Sequence, residues 1–171
     1  PLEHQRRRKD SLNERPVGKV DLLHGLPREW PVDLRPEIIR EVAAGRCKVV
    51  VLDDDPTGTQ TVHGVPVLTE WSAEALRPEL AADLPAFYIL TNSRSLPLHE
   101  AESLNGAIGR NLVSASQGLN RSFVVVSRSD STLRGHFPGE VAALAGGLGQ
   151  GFDGLLLIPF FLEGGRYTVN D

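Results

Sequence analysis

The sequence predicts an α/β domain, a three-layer Rossmann-like arrangement around a mainly parallel sheet that is incomplete at its end. Three observations predict it. Four short apolar runs, Val49–Leu52, Ala86–Leu90, Ser122–Val126 and Leu155–Ile158, read as strands, the first two of them buried. Stretches of helical period separate them, the pattern of βαβ units. Each run also feeds directly into a polar segment. Open parallel sheets collect their ligands at the carboxyl ends of the strands.

Residues 1–34 are polar and broken by prolines, and read as an N-terminal extension to a domain over 35–171. The basic run Arg6–Lys9 lacks the aromatic or amphipathic support of a nucleic-acid or membrane arm and reads as a solvated tail. Leu23, Leu26, Trp30 and Val32 are expected to pack as an extended arm. A helix is predicted over Pro36–Ala44, with Pro at its start, Ile38, Ile39 and Val42 on one side, and Gly45 as the stop.

The first strand, Val49–Leu52, runs into Asp53-Asp54-Asp55-Pro56-Thr57-Gly58. Adjacent carboxylates repel and cannot be buried unpaired, so all three aspartates are expected on the loop beyond the strand. Val65–Thr69 reads as a short strand near an edge, because Pro66 removes a ladder donor. A short helix over Ser72–Ala82 is disturbed by Pro78. The strand Ala86–Leu90 ends in Thr91-Asn92-Ser93-Arg94-Ser95. Leu98, Ala101, Leu104, Ile108 and Leu112 then form the stripe of an amphipathic helix, closed by Gly118. The strand Ser122–Val126 leads into the segment Ser127–His136, which holds Arg128, Asp130, Ser131, Thr132, Arg134 and Gly135. A helix over Phe137–Ala145 should stop at Gly146-Gly147, and the glycines at 146, 147, 149 and 151 read as a flexible connection. The fourth strand, Leu155–Ile158, precedes Glu163–Thr168.

The chain of 171 residues is long enough for a sizeable core. A formal net charge of −4 argues against a general nucleic-acid binder. No apolar run is long enough to span a bilayer, so no membrane partner is expected. Cys47 is the single cysteine and cannot form an internal disulfide, which fits a cytoplasmic setting. The chain opens on Pro1 and stops soon after the last predicted strand, so trimming and missing downstream sequence are both expected. The exposed end of an unfinished sheet makes a homodimer plausible.

A parallel sheet gathers the four polar segments on one edge. They carry Asp53, Asp54 and Asp55, then Arg94, then Arg128, Asp130 and Arg134, then Arg166. Arginine's planar fork suits carboxylate or phosphate. Ser93, Ser131, Thr132 and Thr168 add hydroxyls suited to sugar oxygens. This predicts a site for a small, anionic, hydroxylated ligand, with one carboxylate left as a base or for Mg²⁺. The plainer alternative is that Arg94 and Arg166 only pair with the aspartates and fix the loops. The histidines 63, 99 and 136 are not spaced as metal ligands, and no metal-ligating set is assigned.

Two families share parts of this pattern. Asp53-Asp54-Asp55-Pro56-Thr57 and Leu90-Thr91-Asn92 resemble the first two motifs of haloacid-dehalogenase-like phosphatases, which implies Asp53 as nucleophile and Asp55 as acid/base. That family's downstream lysine and acidic metal motif are absent. The chain more closely resembles the four-carbon acid sugar kinases. Asp54-Asp55-Pro56-Thr57-Gly58 matches their Asp-Asp-x-Thr-Gly, and Thr91–Arg94 approximates their Asn-(Thr/Ser)-x-Ser-Arg-like turn. Arg128–Gly135 matches their Lys-x-Asp-Ser-Thr-x-Arg-Gly, with Arg in place of Lys. Pro159, Gly165, Arg166 and Thr168 match part of a later motif, in which Phe160 and Leu162 replace the usual Ala and second Pro.

This resemblance implies the N-terminal, substrate-binding part of an ATP-dependent kinase that phosphorylates a sugar acid such as threonate, erythronate or 3-oxo-tetronate. It implies Asp54 and Asp55 as catalytic residues that orient or deprotonate the attacking hydroxyl. Arg94, Arg128 and Arg134 would neutralise the substrate carboxylate, with Asp130, Ser131 and Thr132 shaping the pocket. Thr57, Gly58, Ser93, Gly135, Arg166 and Thr168 complete the substrate-binding set. ATP and Mg²⁺ are expected mainly on a C-terminal nucleotide-binding domain that this sequence lacks. A non-catalytic sugar-acid binding module is the remaining alternative.

Overall fold

The computed structural model describes residues 18–24, 27–28, 30–44, 47–130 and 135–159. By its contacts the chain divides into two units, Pro1–Ile38 and Ile39–Asp171. The first holds a short helix, α1 (Lys19–His24), where the sequence suggested only an extended arm. Trp30 and Val32 are exposed there, and Leu26 lies outside the described residues. Helix α2 (Arg35–Ala44) begins one residue before its predicted start and crosses the boundary between the units. It buries no residue, so Ile38, Ile39 and Val42 stay exposed.

The second unit is built on four parallel strands: β1 (Cys47–Asp53), β2 (Val67–Leu68), β3 (Ala86–Leu90) and β4 (Ser122–Arg128). Their order is β2-β3-β1-β4, which places β1 between β3 and β4. The parallel register pairs Asp53 with Leu90 on one side and with Arg128 on the other. Edge strand β2 keeps two residues of the predicted five. Pro66 stays outside it, although its carbonyl still accepts from Tyr88 N at 2.9 Å.

Helices α3 (Ala73–Ala81), α4 (Leu98–Ser116) and α5 (Gly139–Leu148) share one core with the sheet. Ser72 caps α3, its side chain accepting from Ala75 N at 3.2 Å. Val50, Leu52, Phe87 and Ile89 from the strands meet Leu76, Leu80, Ile108, Leu112, Leu144 and Leu148 from the helices. Alternation along β1 turns Val50 and Leu52 to this core and Val49 and Val51 to the opposite face. On β4, Val124 and Val126 remain exposed.

Lys48 shares the core-facing period with Val50 and Leu52 and is buried. Its ammonium donates to the carbonyls of Ala82, at 2.8 Å, and Leu84, and so satisfies acceptors just past the end of α3. Desolvation by burial pushes its pKa down, helped by the neighbouring Arg121.

Two expectations are corrected. Helix α5 does not stop at Gly146-Gly147 but runs to Leu148, with Gly149 as its left-handed cap at φ 63°. Gly147 is there for packing rather than flexibility: a Cβ would lie 2.3 Å from Gly106 O on α4. The second correction is at Leu155–Ile158, which is irregular and exposed rather than a fourth strand. An apolar run makes a strand only where a neighbouring ladder receives it, and among the described residues none pairs with it.

Candidate functional site at the carboxyl edge of the sheet

The site forms where β1, β3 and β4 end side by side. Asp53 is the last residue of β1, not a loop residue, and it is fully buried. Asp54 follows it and is almost as buried. The expectation that all three aspartates lie on the loop beyond the strand fails for Asp53, which the strand can bury because Arg128 at the end of β4 supplies a counter-ion.

Arg94 arrives from the turn after β3. That turn is set by Asn92 in the left-handed region at φ 52° and by a 3₁₀ segment, Ser93–Ser95. Nε and Nη2 of Arg94 donate to the two carboxylate oxygens of Asp54 at 3.0 and 2.8 Å, a bidentate pair. Nη1 donates to Asp55 Oδ2 at 2.9 Å and lies 3.8 Å from Asp130 Oδ2. The Arg94 side chain is 15% exposed. Its hydrogen bonds to Asp54 hold its pKa above the ordinary guanidinium value.

Arg128 arrives at the end of β4 on the other side. Its Nη1 donates to Asp53 Oδ1 at 3.2 Å and lies 3.9 Å from Asp54 Oδ1. Its side chain is 42% exposed, in contrast to Arg94. The two guanidiniums thus divide the cluster: Arg94 is spent on carboxylates inside it, and Arg128 stands half in solvent.

Asp55 opens the turn into a 3₁₀ segment, Gly58–Thr61. Its Oδ1 accepts from Thr57 N at 2.7 Å and from the Thr57 hydroxyl. These bonds, chiefly the hydroxyl's, hold its carboxyl below the usual carboxylate range, with Arg94 and Arg128 adding to the effect. Asp55 is 22% exposed. Asp54 Oδ2 also accepts from Asp130 N at 3.0 Å, which ties the strand to the segment after β4. Ser93 is buried, its hydroxyl 3.0 Å from that of Thr91, which itself donates to Asp53 O at 3.0 Å. Thr91 and Asn92 build the turn that aims Arg94, a role the sequence reading did not assign them.

Two glycines of the predicted set sit where no side chain fits. A Cβ on Gly58 would lie 2.0 Å from Asp53 Oδ2, and one on Gly135 would lie 2.1 Å from Asp130 O. Gly135 thus lies close against the Asp130 backbone. Ser131, Thr132, Arg134, Arg166 and Thr168 lie outside the described residues, as do Phe160 and Leu162. His136, which follows Gly135, places Nε2 2.9 Å from Leu96 O.

The geometry overturns the phosphatase-type role for Asp53. A nucleophile must reach a phosphorus atom, and this carboxyl is sealed from solvent beneath Gly58. Among the described residues, no three His, Cys, Asp or Glu side chains are grouped to hold a metal ion. The carboxylates are committed to arginines and backbone instead. No described helix is long and apolar enough to cross a membrane.

Fold and site together define the class: a parallel α/β domain that holds a dense, charge-compensated polar site at its ligand-binding edge. The family model of the sugar-binding N-terminal domain matches residues 49–171, which takes in β1 from Val49 onward and the polar segments that follow β1, β3 and β4. The chain belongs to that family, the N-terminal domain of four-carbon acid sugar kinases. No curated protein and no solved structure matches the chain.

Proposed function

We propose that this domain binds a four-carbon sugar acid, such as threonate, erythronate or a 3-oxo-tetronate, and presents its terminal hydroxyl for phosphorylation by ATP. The observation that carries the reading is the contrast between the two arginines. Arg94 is consumed by Asp54 and Asp55, whereas Arg128 is partly exposed and engages the cluster through a single nitrogen, leaving donors for a ligand carboxylate. Arg134, Arg166, Ser131, Thr132 and Thr168 complete the pocket in this proposal.

Asp55 is the carboxylate that meets the reacting hydroxyl. It is the more exposed of the Asp54–Asp55 pair, and its low pKa keeps it an acceptor at neutral pH. A weak base suffices, because phosphoryl transfer depends mainly on positioning and charge neutralisation. Asp54 acts indirectly by fixing Arg94 and the Asp130 backbone. ATP and Mg²⁺ are supplied mainly by a second, C-terminal domain that closes over this one. The setting proposed is cytoplasmic, and homodimerisation is to be read by sedimentation.

The test is a thermal-shift titration with threonate, erythronate and their phosphates, beside Arg134→Ala. A ligand at 100 times its Kd stabilises the folded state by about 2.7 kcal/mol. A shift with a four-carbon acid that is lost in Arg134→Ala supports the reading. No shift with any acid, in this chain or in a longer one carrying the second domain, refutes it. ATP consumption by that longer chain separates a kinase from a non-catalytic binding module.

A further inference from the structure

Asp53 stands apart within the acidic cluster. Its Oδ1 accepts from Arg128 Nη1, while its Oδ2 is buried with no hydrogen-bond partner among the described residues. The carboxyl lies close against Gly58, where an added Cβ would fall 2.0 Å from Oδ2 and 2.3 Å from Oδ1. Such an oxygen carries a desolvation penalty that a strand-end valine or alanine would avoid. An apolar residue would meet every packing demand of this position. It could not hold the Arg128 guanidinium at the end of the neighbouring strand.

We propose that Asp53 is a positioning residue for the sugar acid: from inside the domain its Oδ1 anchors Nη1 of Arg128, so that the remaining N–H groups of that guanidinium are held ready for the ligand carboxylate. The register brings the two residues together, since Asp53 and Arg128 are direct partners across β1 and β4. A long, half-exposed arginine samples many rotamers, and fixing one end in advance lowers the entropy lost on binding. Gly58 belongs to the same device, because only a residue without Cβ leaves the carboxyl its place. The inference rests on the reading that Arg128 receives the ligand carboxylate.

The experiment compares wild type, Asp53→Asn, Arg128→Ala and the double variant of the full chain. Calorimetric titrations use threonate and threitol, matched ligands with and without the carboxylate. Asp53→Asn should weaken threonate roughly tenfold or more while leaving threitol unchanged. The double variant should bind threonate no more weakly than Arg128→Ala alone. Equal losses for threonate and threitol, or additive losses in the double variant, overturn the proposal. Nitrogen-15 spectra of the arginine side chains without ligand supply an independent readout. In wild type, the Arg128 guanidinium should show hindered rotation, and in Asp53→Asn it should average like free arginine. If no variant binds either ligand, the sugar-acid reading fails. The spectra still judge the anchor, and free rotation of Arg128 in wild type overturns it even if Asp53→Asn does not fold.

Discussion

Arg94→Ala removes the counter-ion that makes burial of Asp54 tolerable. The substitution deletes three charge-assisted hydrogen bonds, two to Asp54 and one to Asp55. Among the described residues, it leaves Arg128 as the arginine facing Asp53 and Asp54. Asp54 is almost fully buried and Arg94 is 15% exposed, so the pair is buried rather than superficial. Breaking such a pair by removing one partner costs about 3–5 kcal/mol. For a chain of this size that corresponds to a fall in Tm of roughly 10–15 °C. Differential scanning calorimetry at neutral pH and moderate salt measures it. Adding Asp54→Asn should return part of the loss, because it removes the stranded charge along with the demand for a partner. A loss below about 1 kcal/mol, typical of a solvent-exposed ion pair, would refute the argument. So would full additivity of the two substitutions, which would mean that Arg94 and Asp54 do not act as a pair.

Three further outcomes follow from particular contacts. Gly147→Ala should cost about 1–3 kcal/mol by forcing α5 off α4, whereas Gly146→Ala, with open space at its Cβ, should be neutral or stabilise by up to about 1 kcal/mol; urea unfolding of both tests the contrast. Gly58→Ala should displace the Asp53 carboxyl and weaken threonate binding as Asp53→Asn does, which calorimetric titration of the two variants checks. Stability should also carry a signature in pH. Burial pushes Asp53 up, and the Asp54 charge adds to the rise against the opposing pull of Arg128. A raised folded pKa gives stability that is fully present below the unfolded value of about 3.9 and is lost as pH rises through the folded pKa. The Tm of Asp53→Asn should therefore gain on wild type as pH climbs from about 4. Parallel melting curves across that range would contradict the assignment.

Much of this fold could be read from residues alone. Strands β1, β3 and β4 are apolar runs that end in polar segments, and the parallel order follows from the helices between them. The juxtaposition of the aspartates with Arg94 and Arg128 followed from the same reasoning, because strands in parallel register deliver their ends to one edge. The pairing of Arg94 with the aspartates matches the plainer alternative read from the sequence, and what escaped prediction is the long-range pairing that lets Lys48 and Asp53 be buried. Lys48 and Asp53, at the two ends of β1, look too polar for a core. Carbonyls beyond α3 and an arginine on β4 make them tolerable, and none of these partners is near in sequence. The continuation of α5 through Gly146 and Gly147 was hidden for the same reason. Local propensity favours a stop there, and the close face of α4 overrides it.

The network around Asp54 also ties the site to the order in which the chain folds. Arg94 lies 40 positions beyond Asp54, and Arg128 lies 75 beyond Asp53. Contacts so distant along the chain close large loops before they return any stability, and such topologies fold slowly. Until β4 docks against β1, Asp53 lacks its Arg128 counter-ion, and Arg94 alone faces the aspartates. The charge balance of the cluster is thus complete only once β4, one of the two edge strands of the described sheet, is in place.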